Sequence, residues 1–210
     1  NSIGKSVVLT LFGESHGPYI GVVIDGLSAG IKVDEEFINL QLAKRRPTLA
    51  IETSRVEKDH YEIISGVMNG YTTGMPLCII IPNENTRSAD YDKNYGLARP
   101  SHADYVAHMK YNGFEDYRGG GHFSGRLTAG IVAAGAICID ALKKKNILIG
   151  THILKCGKVK DTNFNDVEEE IKLINNKDFP VISNCENPNI PICTLLIYLM
   201  ALNLNRLYVF

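Results

Sequence analysis

The sequence predicts a mixed helix-and-strand fold, and three observations predict it. Apolar and β-branched runs at residues 6–12, 21–25, 61–67 and 77–82 have strand length and end at glycine, proline or aspartate. The first two runs flank a tight, glycine-bounded loop, Gly13-Glu-Ser-His-Gly17. Residues 127–145 are rich in Ala, Gly and Ile, with small residues on several faces, which predicts a buried helix in close backbone contact with its surroundings.

The remaining elements follow in order. Asp34, Glu35 and Glu36 place acids in the first turn of a helix, and Lys44-Arg45-Arg46 closes it before Pro47, complementing the helix dipole at both ends. Residues 48–59 are polar and predict a loop. Residues 70–76 form a turn-rich connector between strands, and residues 83–97 a polar loop long enough to be a lid. Residues 103–112 predict a helix with Asp104 in its first turn and Gly113 as its stop. The long helix ends in Lys143-Lys144-Lys145, residues 147–155 return as a strand, and residues 166–175 form a short acidic helix. The apolar run 192–202 is shorter than the roughly 20 residues a membrane span needs.

Composition bounds the function. The chain has 210 residues, 45% hydrophobic and 21% charged, with net charge −1. General electrostatic binding of nucleic acid is thereby excluded, and any anion site must be a local cluster. Five cysteines without a C-x-x-C pair predict reduced thiols of a cytoplasmic protein, with neither a metal site nor a disulfide framework. The first apolar run is too short and too interrupted for a signal peptide, and no membrane partner is expected. Because the chain starts at Asn1, a few residues are expected to precede it.

The chemistry concentrates between Arg99 and Arg126. Asp116-Tyr-Arg-Gly-Gly-Gly-His-Phe-Ser-Gly-Arg126 carries three glycines ahead of the long helix. A glycine-rich turn opening a helix exposes backbone N–H groups that suit phosphate. Arg99, Arg118 and Arg126 add two-point anion grips. His16 and His102 each sit in a loop beside glycine or proline and near another polar group, and histidine exchanges its proton near neutral pH. His60, His108 and His152 lack such neighbours and are assigned no chemistry. The G-x-S-x-G pattern at 13–17 lacks the following helix of a hydrolase elbow, and the glycine run lacks the Gly-Lys-Ser/Thr of a nucleotide-binding P-loop.

Taken together, the motifs resemble the chorismate synthase family. The matching stretches are Phe12-Gly-Glu-Ser-His-Gly17 with Asp25-Gly26, Arg45-Arg46-Pro47, Ser65-Gly66 and Gly70-Tyr-Thr-Thr-Gly-Met-Pro76. Arg87-Ser-Ala-Asp-Tyr91, Arg99-Pro-Ser-His-Ala-Asp104 and the 116–126 stretch follow in the family's order. The resemblance implies a homotetrameric α+β protein built as a β-α-β sandwich, with reduced FMN as cofactor. The implied reaction is the anti-1,4-elimination of phosphate from 5-enolpyruvylshikimate 3-phosphate to give chorismate. On the family's pattern His16 protonates the departing phosphate and His102 the reduced flavin. Arg45, Arg46, Arg99 and Arg126 would hold the substrate, and His122, Phe123 and Ser124 would touch FMN. NADPH, or a separate flavin reductase, would supply the reducing equivalents.

Two positions depart from the pattern: His122 stands where many members carry arginine, and so does Ile51. The resemblance covers residues 1–184 as one domain, and residues 185–210 are expected to be an aberrant apolar tail, with the family's C-terminal part missing. The alternative expectation is a non-catalytic remnant that binds only flavin or anionic substrate.

Overall fold

The structure, a computed structural model, describes residues 1–46, 55–86, 91, 96–152, 155–156, 159–160 and 163–175. Its centre is a strand whose branched residues alternate in burial. In β3 (Tyr19–Asp25), Ile20, Val22 and Ile24 are fully buried, whereas Val23 is half-buried. Side chains of a strand alternate between faces, so one face of β3 belongs to the core. β3 pairs antiparallel with β2 (Val8–Gly13) in a register that sets Leu11 opposite Val22. The other neighbour is β7 (Leu77–Pro82), where Ile79 lies opposite Val22 and the core face continues through Leu77 and Ile81. With β1 (Ser2–Gly4) and β4 (Glu62–Ser65) at the edges, the sheet runs β1-β2-β3-β7-β4, every pair antiparallel.

Two helices complete the core. In α1 (Glu35–Lys44), Asp34 caps the N-terminus by accepting from Phe37 N at 2.9 Å, and Ile38 and Leu42 are buried. After the short α2 (Asp104–Tyr111), α3 (Thr128–Lys143) contributes Ala129, Ala133, Ala134, Ala136 and Ile137 to the same cluster. Gly130 explains how α3 comes so near the sheet: a Cβ there would lie 3.2 Å from Val22 Cβ and 3.3 Å from the Gly21 carbonyl oxygen. The segment Gly125–Lys143 is long and apolar enough to cross a membrane by length and composition, and half of it is buried within the protein.

The fold is α+β, as expected, and most elements fall where the sequence places them. Four differ. The edge strand β1 was not foreseen. The expected strand 61–67 breaks at a register shift between Ile63 and Ser65, and its end joins a small hairpin, β5 (Val67–Met68) with β6 (Tyr71–Thr72). Asn69 and Gly70, with φ of 52° and 78°, form the two-residue turn of that hairpin. The expected strand 147–155 is irregular through His152. Its Ile149 carbonyl accepts from Asn175 and its Gly150 backs onto Ile171 of α4 (Val167–Asn175), so this run packs under a helix instead of joining a ladder. Only β8 (Lys155–Cys156), paired with β9 (Val159–Lys160), is strand there. Finally, the glycine run at 119–121 does not open α3, which begins at Thr128.

The chain divides into two compact units. Asn1–Arg46 with Arg55–Cys138 holds the five-stranded sheet and every candidate site residue. A second large sheet, as a sandwich requires, is not among the described residues. Ile51, most of the expected lid at 83–97 and the expected tail at 185–210 lie outside the described residues.

Ile79 faces the centre of the core, and Phe114 is 91% exposed. Ile79→Ala should lower unfolding free energy in urea by about 2–5 kcal/mol, and Phe114→Ala should leave it within about 0.5 kcal/mol.

Candidate active site: two histidines on a glycine run

The loop between β2 and β3 is pinned from several directions. Ser15 is 1% exposed, and its N–H donates to the Gly121 carbonyl at 3.0 Å. Asn83, just past β7, donates from its side-chain amide to the carbonyls of Glu14 (3.0 Å) and Gly17 (2.7 Å), and its backbone N–H to that of Pro18. Arg55 donates to Ser15 Oγ at 2.8 Å and to the Ser15 carbonyl at 3.0 Å. Glu57 holds Arg55 in turn, at 2.9 and 2.7 Å, and also accepts the backbone N–H groups of Glu84 and Asn85. Burial pushes the Glu57 carboxyl up, but these donors outweigh it and hold the group below its ordinary value.

Against this loop lies the glycine run, with φ of 60°, 88° and 52° at Gly119, Gly120 and Gly121. A Cβ on Gly119 would fall 2.2 Å from His16 Cε1, and one on Gly120 would fall 2.7 Å from His102 Cε1. Each of two consecutive glycines therefore touches one of the two predicted catalytic histidines. The reading of the run as the free first turn of a helix is corrected accordingly. Its Gly121 carbonyl is spent on Ser15 and Ser124, and its lack of side chains makes room for imidazole rings. Tyr91 completes the cluster: its ring meets His16 edge-on at 5.0 Å, and the Arg99 guanidinium lies 5.9 Å over it.

His102 is oriented by its own segment. Its Nδ1 is 2.6 Å from Asp104 Oδ1, and Arg99 clasps the same carboxylate through Nε (2.7 Å), Nη2 (2.8 Å) and its backbone N–H (3.0 Å). The Arg99 bonds hold the Asp104 carboxyl far below the usual carboxylate range, so it is ionised at any working pH. An ionised carboxylate only accepts, so Nδ1 carries the proton that it donates to Asp104. The 3.2 Å approach of Arg99 Nη2 to Nδ1 is then a contact between two donors, not a hydrogen bond. The second nitrogen, Nε2, lies beside Gly120.

His16 has a different setting. Its Nδ1 is buried and makes no hydrogen bond among the described residues. Burial, then the Arg55 charge, lowers its proton affinity below the ordinary 6.5; Asp116 opposes them, the Arg118 charge adds to them, and the Arg118 backbone opposes them. Asp116 is itself held low despite burial, because Arg118 binds it through Nε and Nη2 at 2.8 Å each.

The other predicted residues occupy the flanks. Asp59, 3% exposed, sits between Arg126 Nη1 and Arg45 Nη1, the latter at 2.6 Å. Arg126 is 5% exposed and also donates to Asn83 Oδ1 (2.9 Å) and the Pro82 carbonyl (3.1 Å), so its guanidinium is committed within the protein. Arg46 donates to the Lys58 carbonyl. His122 donates from Nδ1 to the Gly13 carbonyl at 2.9 Å, which leaves Nε2 as an acceptor in the neutral ring. Phe123 is partly exposed, and Ser124 Oγ accepts the Arg126 N–H at 3.3 Å. His122 and Phe123 line a cleft of about 450 Å³ together with Phe12, Asp104, Ala107 and Tyr111.

Sequence reasoning missed Arg55, Glu57, Asp59 and Asn83. A signal exists for the first three: in the alternation Arg-x-Glu-x-Asp, Arg55 is half-buried and Glu57 and Asp59 are buried, whereas Val56 and Lys58 between them and His60 after them are exposed. Asn83 carries no local signal.

Comparison with known proteins agrees with these motifs. The family model described as chorismate synthase matches residues 7–187. A chorismate synthase of Wolinella succinogenes is 50% identical over 159 residues, which are 75% of this chain and 44% of that protein. One from Pyrococcus abyssi is 46% identical over 156 residues, 74% of this chain and 44% of the relative. A solved crystal structure of chorismate synthase superposes with a TM-score of 0.62 at 25% identity, covering 94% of this chain and 54% of the other. The chain thus spans less than half the length of these two relatives.

The glycine contacts are separable by experiment. Gly119→Ala should displace the His16 ring and leave His102 in place, and Gly120→Ala should do the reverse, as followed by the imidazole C–H resonances of each histidine. Perturbation of both rings by either single substitution would contradict the one-glycine-per-histidine arrangement.

Proposed function

The chain belongs to the chorismate synthase family, and from that premise we propose that its site performs the family's phosphate elimination. The substrate would be 5-enolpyruvylshikimate 3-phosphate and the product chorismate, with reduced FMN as cofactor. The observation that carries the reading is the packing of His16 and His102 on consecutive glycines, next to Tyr91 and Arg99. One site then offers two proton carriers in different electrostatic settings, which an elimination with a charged leaving group needs.

His16 would serve the leaving phosphate. Half-buried beside Arg55 and Arg118, it holds its proton less tightly than an ordinary histidine in the free protein. A phosphate dianion placed there reverses the balance, because an opposite charge within reach favours imidazolium. The Arg55 charge, which adds to the effect of burial on the ring, would also attract the anion. As the carbon–oxygen bond breaks, its electron pair leaves with the phosphate, which takes the His16 proton; the substrate's carbocycle releases one C–H proton to solvent, that bond's pair becomes the new double bond, and no net electrons are exchanged. Arg45, with part of its guanidinium exposed, and Arg46 lie on the Asp59 side of the cluster, from which they would contact the substrate's anionic groups. Arg99 would act there as well, while Arg126 would support the site through Asn83.

Reduced FMN suits the cleft beside His122. A volume of about 450 Å³ lies within the range of small-molecule sites, its walls join aromatic and apolar residues to the carboxylates of Glu14, Asp104, Glu115 and Asp116, and His122 Nε2 in the neutral ring would accept from an N–H of the flavin ring system. When bound, reduced flavin supplies electron density to the allylic system and receives it back. His122, Phe123 and Ser124 would hold it, and His102, with Nδ1 fixed on Asp104, would present Nε2 as the proton-carrying atom. Supply of reducing equivalents by NADPH or by a separate reductase, assembly as a homotetramer and a cytoplasmic setting complete the proposal by analogy with the family.

The test is anaerobic phosphate release from 5-enolpyruvylshikimate 3-phosphate by the 210-residue chain with chemically reduced FMN. Binding of flavin without phosphate release would reduce the reading to a binding protein. His102→Ala should lower turnover by about 10²–10⁴-fold, the usual contribution of a positioned proton carrier, with little change in substrate affinity. Substrate binding at pH 7.5 should draw a proton from the buffer, read as buffer-dependent calorimetric heat. His16→Asn should abolish that uptake.

A further inference from the structure

Arg55 belongs to none of the motifs that marked the site, yet its guanidinium reaches the residue before His16. Nη1 donates to Ser15 Oγ at 2.8 Å and Nη2 to the Ser15 carbonyl at 3.0 Å. These two bonds hold the Ser15 hydroxyl and the peptide that leads into His16. Ser15 is almost fully buried, so its carbonyl and hydroxyl have little access to water as substitute partners. Glu57 fixes the other side of the guanidinium through one oxygen, while its second oxygen accepts the Glu84 N–H at 3.1 Å. Glu57 is 6% exposed, which makes it a rigid anchor for Arg55.

We propose that Arg55 is the positioning residue of His16, a clamp on Ser15 that keeps the imidazole seated on Gly119, with Glu57 holding the clamp. The inference rests on His16 being a proton-carrying group of the proposed site. Geometry makes the assignment specific. Gly119 leaves no tolerance at His16, since a Cβ there would also stand 3.1 Å from Ser15 Oγ. A small rotation of the Ser15 peptide would therefore drive the ring into the glycine backbone or away from it. A planar fork that binds two acceptors of one residue resists that rotation better than a point charge does.

The clamp is also a fixed positive charge next to the ring. The charged groups acting on His16 are Arg55, Asp116 and Arg118, and Tyr91 meets the ring edge-on. Asp116 and Arg118 are bonded to each other and act on the ring with opposite signs, and Arg55 is the first-ranked charge acting on it.

The test follows His16 by NMR titration in the 210-residue chain without substrate or flavin. The wild-type midpoint is expected below 6.5. Arg55→Met should shift it upward and weaken the contacts between the His16 ring protons and the Gly119 amide. Arg55→Lys keeps the charge but loses the fork, so the midpoint should stay near the wild-type value while those contacts weaken. Ser15→Ala, which leaves both Arg55 and Glu57 intact, should likewise weaken them without an upward shift. If Arg55→Met does not fold, the other two variants decide the matter. Unchanged His16–Gly119 contacts in both would overturn the clamp. An unaltered midpoint in a folded Arg55→Met chain would overturn the charge component. The readout needs no turnover, so the expected titrations combined with absent phosphate release would sink the lyase reading and leave the clamp standing.

Discussion

The closeness of approach at Gly119 and Gly120 is the constraint on which the rest of the site depends. Two imidazole rings come to within van der Waals contact of consecutive backbone units, and no other residue type leaves that space. Each glycine also adopts a left-handed φ that costs an L-residue roughly 1 kcal/mol or more. A glycine run is entropically expensive to order, so its conformation has to be fixed by its neighbours. The fixing groups are visible: the Gly121 carbonyl ties the run to Ser15, and the Arg118–Asp116 pair braces its start. On the opposite side, Asn83 and Arg55 fix the histidine loop. Loop and run thus restrain each other, and both hang on the ends of central strands whose register is set by fully buried Val22 and Ile79.

The electrostatic design follows from how the arginines are held. Arg55 is paired with Glu57, Arg99 with Asp104 and Arg118 with Asp116, and the single carboxylate of Asp59 serves both Arg45 and Arg126. Three of these groupings are neutral as pairs, and the fourth carries an excess positive charge. A buried ion pair is a weak source of stability, because desolvation consumes most of the Coulomb gain. What such pairs supply is orientation, and Asp59 shows it: held by Asp59, Arg126 presents Nε to Asn83, and Asn83 presents its amide to the histidine loop. A residue that the motif suggests as a ligand for substrate is, in this fold, one link behind the loop that carries His16.

Much of the fold was legible because it rests on local pattern. The apolar, β-branched runs of β2, β3 and β7, the acid-first, base-last signature of α1 and the small-residue surface of α3 are all properties of consecutive residues. The two histidines and the glycine run were legible for the same reason. The purpose of the run was not. Its composition suggests a phosphate cradle at a helix start, but six residues of tight turn separate Gly121 from Thr128, and only the folded chain brings His16, about a hundred positions earlier, against Gly119. Asn83 illustrates the limit further, since an asparagine after a strand looks like any turn residue until Glu14 and Gly17 meet it. The run at 147–152 misled in the opposite direction: β-branched composition records a need for burial, and Ile171 meets that need from a helix.

The two histidines share a backbone seat but not an electrostatic one, and that difference assigns their work. His102 stands against a carboxylate that Arg99 keeps ionised, so its Nδ1 proton is fixed and the ring's exchangeable position is Nε2. His16 has no such carboxylate on its buried Nδ1; it faces burial and a guanidinium, which together lower its proton affinity. A group with that environment is a poor acid by itself and becomes a good one only when an anion arrives. If the arriving anion is the leaving group, protonation of His16 is favoured by correct binding: the empty site disfavours the imidazolium, and an occupied one would stabilise it where phosphate departs. In the proposed reaction the Arg55 charge and the buried nitrogen would be parts of one device, in which the substrate's own charge completes the acid that expels it.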